Sequence, residues 1–266
     1  MVDKNYIKTT LENYYKAVSE TLNENEQLLY IGVYGSQNYN LSDKSSDVDA
    51  VAIIIPTDDD IILSRKQSKE LHMQNGAHVT VKDLASFIEE TVKCSSYTFE
   101  VLETEFHYPE IVENKHFQCL FDMKNRIFAH NPIQLYRTLW SIVHNNFKRI
   151  DDNNIIADSK KVAAMLRALS LMEDMLSGKT YGEALRLEPE KAKYLLYIKR
   201  FQQDSESLSD EKVELLKKLK YDAKEKADAI FETTVLNGNK KSIDAECLDL
   251  MRKLYVEAYK AKIRGE

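Results

Sequence analysis

Asp47 and Asp49 are the residues of this chain whose type and spacing could do chemistry. They precede a short apolar run, Ala50 to Ile55, that is rich in β-branched residues and predicts a buried strand. Alternate residues of a strand point to the same face, so we expect the two carboxylates side by side. Carboxylates this close repel each other unless a cation lies between them, and hard oxygen ligands suit Mg²⁺. The pair therefore predicts a Mg²⁺ site.

A Gly-Ser turn, Gly35 and Ser36, follows another apolar run, Leu28 to Val33, that also predicts a strand. The backbone N–H groups of the turn could hold phosphate groups, because glycine lets a ligand approach the main chain closely. Neither the turn nor the acid pair is informative alone, since most turns and acid pairs are simply solvated. Their order, with a strand, a Gly-Ser turn, a polar spacer, Ser-Asp-x-Asp and a second strand, favours a site for metal-bound phosphates.

This pattern, which runs from Tyr34-Gly-Ser-x-x-Tyr-x-Leu to Ser46-Asp-x-Asp, resembles the nucleotidyltransferase superfamily that includes DNA polymerase beta, kanamycin nucleotidyltransferase and the CCA-adding enzymes. It is most similar to the predicted nucleotidyltransferases of bacteria and phages that are associated with RNA repair. Two later segments, Asp83 to Phe87 and Lys160 to Arg167, are also similar to that family. The resemblance implies an α+β fold with two domains. A small mixed β-sheet nucleotidyltransferase domain with helices (residues 1–125) precedes an all-helical substrate-binding domain (126–266).

The resemblance also implies an enzyme that transfers a nucleoside monophosphate from an NTP, ATP or CTP, to an acceptor hydroxyl. An RNA end, with tRNA as the first candidate, is the expected acceptor. Asp47 and Asp49 would be catalytic and hold Mg²⁺ or Mn²⁺, while Gly35 and Ser36 would position the phosphates. Two alternatives stay open: transfer of AMP to a protein or small molecule, and an inactive nucleotide- or protein-binding module of the same fold.

In that superfamily a third carboxylate usually stands on a strand next to the Asp-x-Asp strand. The fitting position in this chain is His78, in a third predicted strand that covers Ala77 to Val81. A neutral imidazole can bind a metal, although it is a softer ligand and carries no negative charge. We therefore expect His78 as the third metal ligand, with Asp83 and Glu100 as the nearest acids that could take this role.

Lys160 and Arg167 are seven residues apart in a predicted helix, so two turns bring them to the same face. A lysine and an arginine on one face could clamp the phosphates of an NTP or an RNA. Ordinary solvated surface charges would produce the same spacing. The similarity to the family's helical motif favours the clamp.

Other patterns predict the elements around these residues. Helical spacing of apolar residues covers Tyr6 to Leu22, and a helix is expected from about Lys82 to Thr91. The polar stretch from Arg65 to Gln74 is expected to be a connector. Beyond Asn114 the patterns are helical. One helix is expected to begin at Pro132, and four more are expected to cover 158–176, 189–203, 209–236 and 243–263.

Composition limits the class of protein. The 266 residues carry a net charge of −6, which lowers the expectation of a protein that coats nucleic acid but permits a local basic groove. No apolar run is long enough to cross a bilayer, and the three cysteines lack metal-ligand spacing, so we expect a soluble cytoplasmic protein with no membrane partner. The histidines never fall at the spacing of a helical zinc site, so all except His78 are expected to be surface or core residues.

Overall fold

The computed structural model describes residues 3–42, 46–73, 76–109, 113–201, 209–236 and 243–265. Part of the spacer before the aspartates (43–45) lies outside these residues. So does the segment 237–239, whose sequence Asn-Gly-Asn predicts an interruption between two helices. The described part contains both a mixed sheet and many helices, which confirms the α+β class. The five strands are β1 (Gln27–Val33), β2 (Ala50–Ile55), β3 (Ser68–His72), β4 (His78–Asp83) and β5 (His107–Tyr108). The helices are α1 (Lys4–Glu20), α2 (Asp58–Ile62), α3 (Leu84–Val92), α4 (Ser96–Glu103), α5 (Lys115–Asp122), α6 (Lys124–Ala129), α7 (Pro132–Arg149), α8 (Ser159–Leu176), α9 (Tyr181–Leu185), α10 (Pro189–Arg200), α11 (Asp210–Phe231) and α12 (Ala245–Arg264).

The strands form one sheet in the order β3-β4-β2-β1-β5. The central strand β2 pairs antiparallel with β1 and parallel with β4. At the two edges of the sheet, β3 pairs antiparallel with β4, and β5 pairs antiparallel with β1. All six residues of β2 are buried, as its continuous apolar sequence predicts for a central strand. The strand at 68–72 corrects the expectation of a polar connector there. Its residues are mostly exposed, so it has no apolar pattern that would reveal a strand.

Helix α1 covers one face of the sheet. Its residues Ile7, Leu11, Tyr14 and Val18 recur at helical spacing and are buried in the same core as alternate side chains of the strands. The helix begins where the side chain of Asp3 accepts a hydrogen bond from the N–H of Asn5 at 2.9 Å. The predicted helix from Tyr6 is thus confirmed.

The other face is occupied by aromatic residues and helices. Tyr30 is fully buried, its ring lies 5.2 Å from that of Phe117 on α5, and its hydroxyl donates to the carbonyl of Val101 on α4 at 3.2 Å. The same ring lies across Gly32, where an added Cβ would come within 2.6 Å of Tyr30 Cε1. Glycine is needed here to leave room for the aromatic ring.

The chain divides into two compact units. The first comprises the described residues within Met1–Asn38, Ser42–His130 and Ile243–Glu266, and the second those within Tyr39–Leu41 and Asn131–Ser242. The final helix α12, which the sequence analysis assigned to the C-terminal domain, therefore packs with the first unit, against α3 and α5. A cluster at its start holds it there, because Arg126 contacts Asp244 and Glu246, each at 2.7 Å.

The second unit is helical and is built from α7 to α11. Pro132 stands in the first turn of α7, and Gly178, with φ at 100°, follows the end of α8, as the sequence predicts. A buried lysine, Lys220 on α11, is held by the Asp152 carboxylate at 2.5 Å and by the carbonyl of Ile150 at 3.1 Å. None of the helices within the described ranges is both long and apolar enough to cross a membrane.

Candidate functional site

The pairing of β1 with β2 brings the Gly-Ser turn beside the aspartates. The N–H of Tyr34 donates to the carbonyl of Asp49 at 3.1 Å, so Gly35 directly follows a residue bonded to the acid pair. Gly35 has φ at 85°, and an added Cβ would meet nothing within 4 Å. The glycine is therefore required by its backbone conformation and not by a close neighbour. Ser36 begins a short 3₁₀ helix that ends at Tyr39.

Glu100 holds the Gly-Ser turn in place through a hydrogen bond. This α4 residue is 3% exposed, and its Oε2 accepts the N–H of Gly35 at 3.1 Å. Asn38 adds a second anchor, since its side-chain amide donates to the carbonyl of Val33 at 3.0 Å while Thr104 donates to its Oδ1 at 2.7 Å. The Gly35 N–H is thus already occupied by the carboxyl group of Glu100. A phosphate on this amide would have to share it with Glu100.

Asp47 and Asp49 lie immediately before β2 instead of within it. Asp47 is exposed and Asp49 is half-buried, whereas Val48 between them is buried in the core beneath the sheet. The alternation that the sequence predicts therefore continues ahead of the strand. Asp47 is anchored through its carbonyl, which accepts from the side chain of Gln37 at 3.2 Å. Asp49 is anchored through its side chain, because Oδ1 accepts the N–H of His78 at 3.2 Å.

These two carboxylates are a suitable donor set for Mg²⁺. A carboxylate has about four lone-pair positions, and the bond from the His78 N–H to Asp49 Oδ1 occupies one of them, which leaves room for coordination. The exposure of Asp47 leaves space for water or phosphate oxygens in the remaining positions.

Tyr34 places a phenol next to the acids. Burial and then the nearby Asp49 carboxylate raise the pKa of Tyr34, against the effect of its hydrogen bond with Thr80. The phenol therefore keeps its proton at neutral pH and stays a hydrogen-bond donor. Its ring packs edge-on against Tyr97 of α4, with 6.2 Å between centroids.

Lys82 lies on the same face of β4 as Thr80, the partner of Tyr34. Lys82 Nζ is 2.5 Å from the Glu90 carboxylate and 4.7 Å from the centre of the Tyr97 ring. Tyr97 also donates to Glu90. Burial and then this bond to Glu90 raise the pKa of Tyr97. The ammonium group of Lys82 is thus paired with the Glu90 carboxylate, and its side chain is largely buried.

His78 is close to Asp49 through its main chain, but its imidazole lies with other residues. Its Nδ1 is 3.3 Å from Glu70 Oε1, and its ring lies 4.7 Å from the ring of His72. The sequence predicts His78 as a ligand beside Asp47 and Asp49. Glu70 and His72 are not among the predicted ligands, because their segment predicts a polar connector. The alternating Glu-x-His, followed by a glycine turn at Gly76 and then His78, is the signal that could have revealed them.

Asp83 is not near the acid pair. It ends β4, whereas His78, which contacts Asp49, begins the same strand. It caps α3, since Oδ1 accepts the N–H of Ser86 at 2.7 Å and Oδ2 accepts the N–H of Gln67 at 2.8 Å. The structure therefore gives Asp83 a structural role and corrects its candidacy as the third carboxylate.

Lys160 and Arg167 lie on α8 in the second unit, so the predicted helix is confirmed. Lys160 is exposed and Arg167 is half-buried. The guanidinium of Arg167 stacks on the ring of Tyr39, which belongs to the same unit, with its carbon 3.4 Å from the ring centroid. This stacking orients the arginine.

Comparison of the sequence with protein-family models finds no match, and comparison with curated proteins finds none either.

Proposed function

We propose that this protein is a metal-dependent nucleotidyltransferase that moves a nucleoside monophosphate from an NTP to an acceptor hydroxyl, with an RNA end such as that of tRNA as the acceptor. The observation that carries the proposal is the Tyr34 N–H bond to the carbonyl of Asp49 at 3.1 Å. It sets the Gly-Ser turn beside two carboxylates at one end of a sheet. The backbone N–H groups of such a turn can bind phosphates, and the carboxylates can bind the divalent cation that accompanies them.

The residues would divide the work as follows. Asp47 and Asp49 would hold Mg²⁺ or Mn²⁺, which would supply positive charge to offset the negative charge of the phosphates. The N–H of His78 keeps the Asp49 carboxylate in place. Gly35 and Ser36 would position the phosphates, and the protonated Tyr34 would offer a hydrogen bond at the same sheet end. The acceptor oxygen bonds to the α-phosphorus, the bond from that phosphorus to pyrophosphate breaks, and the hydroxyl proton passes to a carboxylate of the site.

The test uses the full chain with Mg²⁺ and each of the four NTPs labelled at the α-phosphate. The acceptors are total tRNA, total protein or none. We expect label in tRNA with ATP or CTP, and its loss in Asp47→Asn and Asp49→Asn. Asp59→Asn, which changes an exposed aspartate on α2, is the matched control and should keep full activity.

Other results would redirect or end the proposal. Label in protein would indicate transfer of AMP to a polypeptide. Nucleotide binding without transfer to any acceptor would indicate an inactive module. Full activity in both Asp47→Asn and Asp49→Asn would remove these aspartates from catalysis.

A further inference from the structure

Three potential metal ligands meet on the hairpin formed by β3 and β4. Glu70 and His72 are two residues apart on β3, so their side chains lie on the same face. The register pairs His72 with His78, which brings a second imidazole to that face. The ligand atoms of Glu70, His72 and His78 all lie within 4.8 Å of one another.

The contacts among these residues leave one polar atom unsatisfied. His78 Nδ1 is buried and has no hydrogen-bond partner among the described residues. Glu70 Oε1 is only 3.3 Å away, yet the alignment is not that of a hydrogen bond. The two imidazole rings meet edge to face at an interplanar angle of 72°. A buried polar atom without a partner is costly, and a bound cation would supply that partner.

The donor set identifies the class of cation. Two imidazoles and one carboxylate suit Zn²⁺, Co²⁺ or another transition metal better than Mg²⁺, which prefers oxygen alone. The ligand atoms of a tetrahedral zinc lie roughly 3.4 Å apart, because each is bound at about 2.1 Å. The spacing of up to 4.8 Å is wider than this, and rotation of the exposed Glu70 and His72 side chains would have to close it. Three protein ligands leave one coordination position open.

We propose that Glu70, His72 and His78 form a transition-metal site on this hairpin, separate from the Mg²⁺ site of Asp47 and Asp49. The two sites are linked by one bond, since the N–H of His78 donates to Asp49 Oδ1. Metal on the hairpin would therefore fix the strand position that orients Asp49. The proposal concerns binding and does not rest on nucleotidyl transfer.

The first experiment titrates Co²⁺ alone into the chelator-treated full chain and follows visible absorption, with Zn²⁺ then added to displace it. We expect one Co²⁺ per chain with the spectrum of nitrogen and oxygen ligation. His72→Ala and Glu70→Gln should each weaken binding at least about tenfold, by analogy with the loss seen for residues that support metal ligands. His116→Ala, which changes a histidine on α5, should bind like the wild type.

A second measurement keeps the proposal testable if a variant does not fold. In wild-type protein with ¹⁵N-labelled histidine, Zn²⁺ should move the ring-nitrogen resonances of His72 and His78 and leave those of His116 in place. Unmoved His72 and His78 resonances would overturn the site. So would wild-type protein that binds no Co²⁺, or equal affinity in the wild type and in both hairpin variants. Loss of binding in Asp49→Asn with retention in His72→Ala would move the metal to the aspartates and also overturn it.

Discussion

Replacing Asp83 by alanine should destabilise the first unit by about 3–6 kcal/mol. The carboxylate is 2% exposed, so its partners cannot simply turn to water. Loss of the cap on α3, where Ser86 N–H donates at 2.7 Å, costs about 1–2 kcal/mol. The Gln67 N–H, which donates at 2.8 Å, is left without its acceptor at about 1–3 kcal/mol. The Ser86 hydroxyl, also at 2.8 Å, adds about 1 kcal/mol.

Urea unfolding followed by far-UV circular dichroism measures this loss. The fluorescence of Trp140, the one tryptophan of the chain, reports the second unit separately. Asp3→Ala removes the exposed cap of α1 and is the matched control, with an expected cost of about 0.5–1 kcal/mol. Asp83→Asn keeps a capping oxygen, so the folded variant should retain the proposed nucleotidyl transfer. A loss below about 1 kcal/mol in Asp83→Ala would refute this reasoning. Inactive Asp83→Asn of normal stability would also refute it.

Three further predictions follow from single sites. Gly35→Ala and Gly178→Ala should each lower the free energy of unfolding by about 1–2 kcal/mol, because both positions have positive φ and open space around the added Cβ. Only Gly35→Ala should also lower the proposed nucleotidyl transfer. Iodoacetamide at neutral pH should label the exposed Cys119 but not Cys94, since burial raises the pKa of the Cys94 thiol to about 12. Burial and two neighbouring lysines lower the pKa of His144, so the native state favours its neutral form. The free energy of unfolding should therefore fall as the pH drops below about 6.5, and less so in His144→Gln.

Each of these has a contradicting outcome. Wild-type stability in Gly35→Ala would mean that its backbone is not strained, and equal loss of transfer in Gly178→Ala would mean that the effect on activity is not local. Rapid labelling of Cys94 in native protein would contradict its burial. An unchanged pH dependence in His144→Gln would assign that dependence to other groups.

The sequence by itself determined the elements whose signals are local. The β-branched run from Ala50 to Ile55 predicts a central strand because every residue in it is apolar, and the structure buries all six. The apolar spacing of Ile7, Leu11 and Val18 predicts α1 because these residues fall on one face of a helix. Proline at the start of α7 and glycine after α8 mark those helices through conformations that depend on one residue alone. The Gly-Ser turn and the acid pair were also visible as motifs.

Only the tertiary structure decided which of these residues are neighbours. Strand β3 is a polar edge strand, so its hydrogen bonds to β4 define it and its side chains do not predict it. That pairing is what places His72 and Glu70 beside His78. The role of Asp83 as a cap, with Gln67 as a partner, likewise depends on how an edge strand meets the next element.

The final helix makes the same point at longer range. Its apolar pattern predicts a helix but carries no information about which surface will cover it. Contacts of Arg126 with Asp244 and Glu246, more than a hundred residues apart in sequence, assign α12 to the unit that contains the sheet. Periodicity and capping are properties of a few consecutive residues, whereas strand pairing and helix packing join distant ones. The physical reason is that the hydrophobic effect is not directional, so an apolar helix face is stabilised against any suitable apolar surface. Which surface the helix meets depends on the path of the chain.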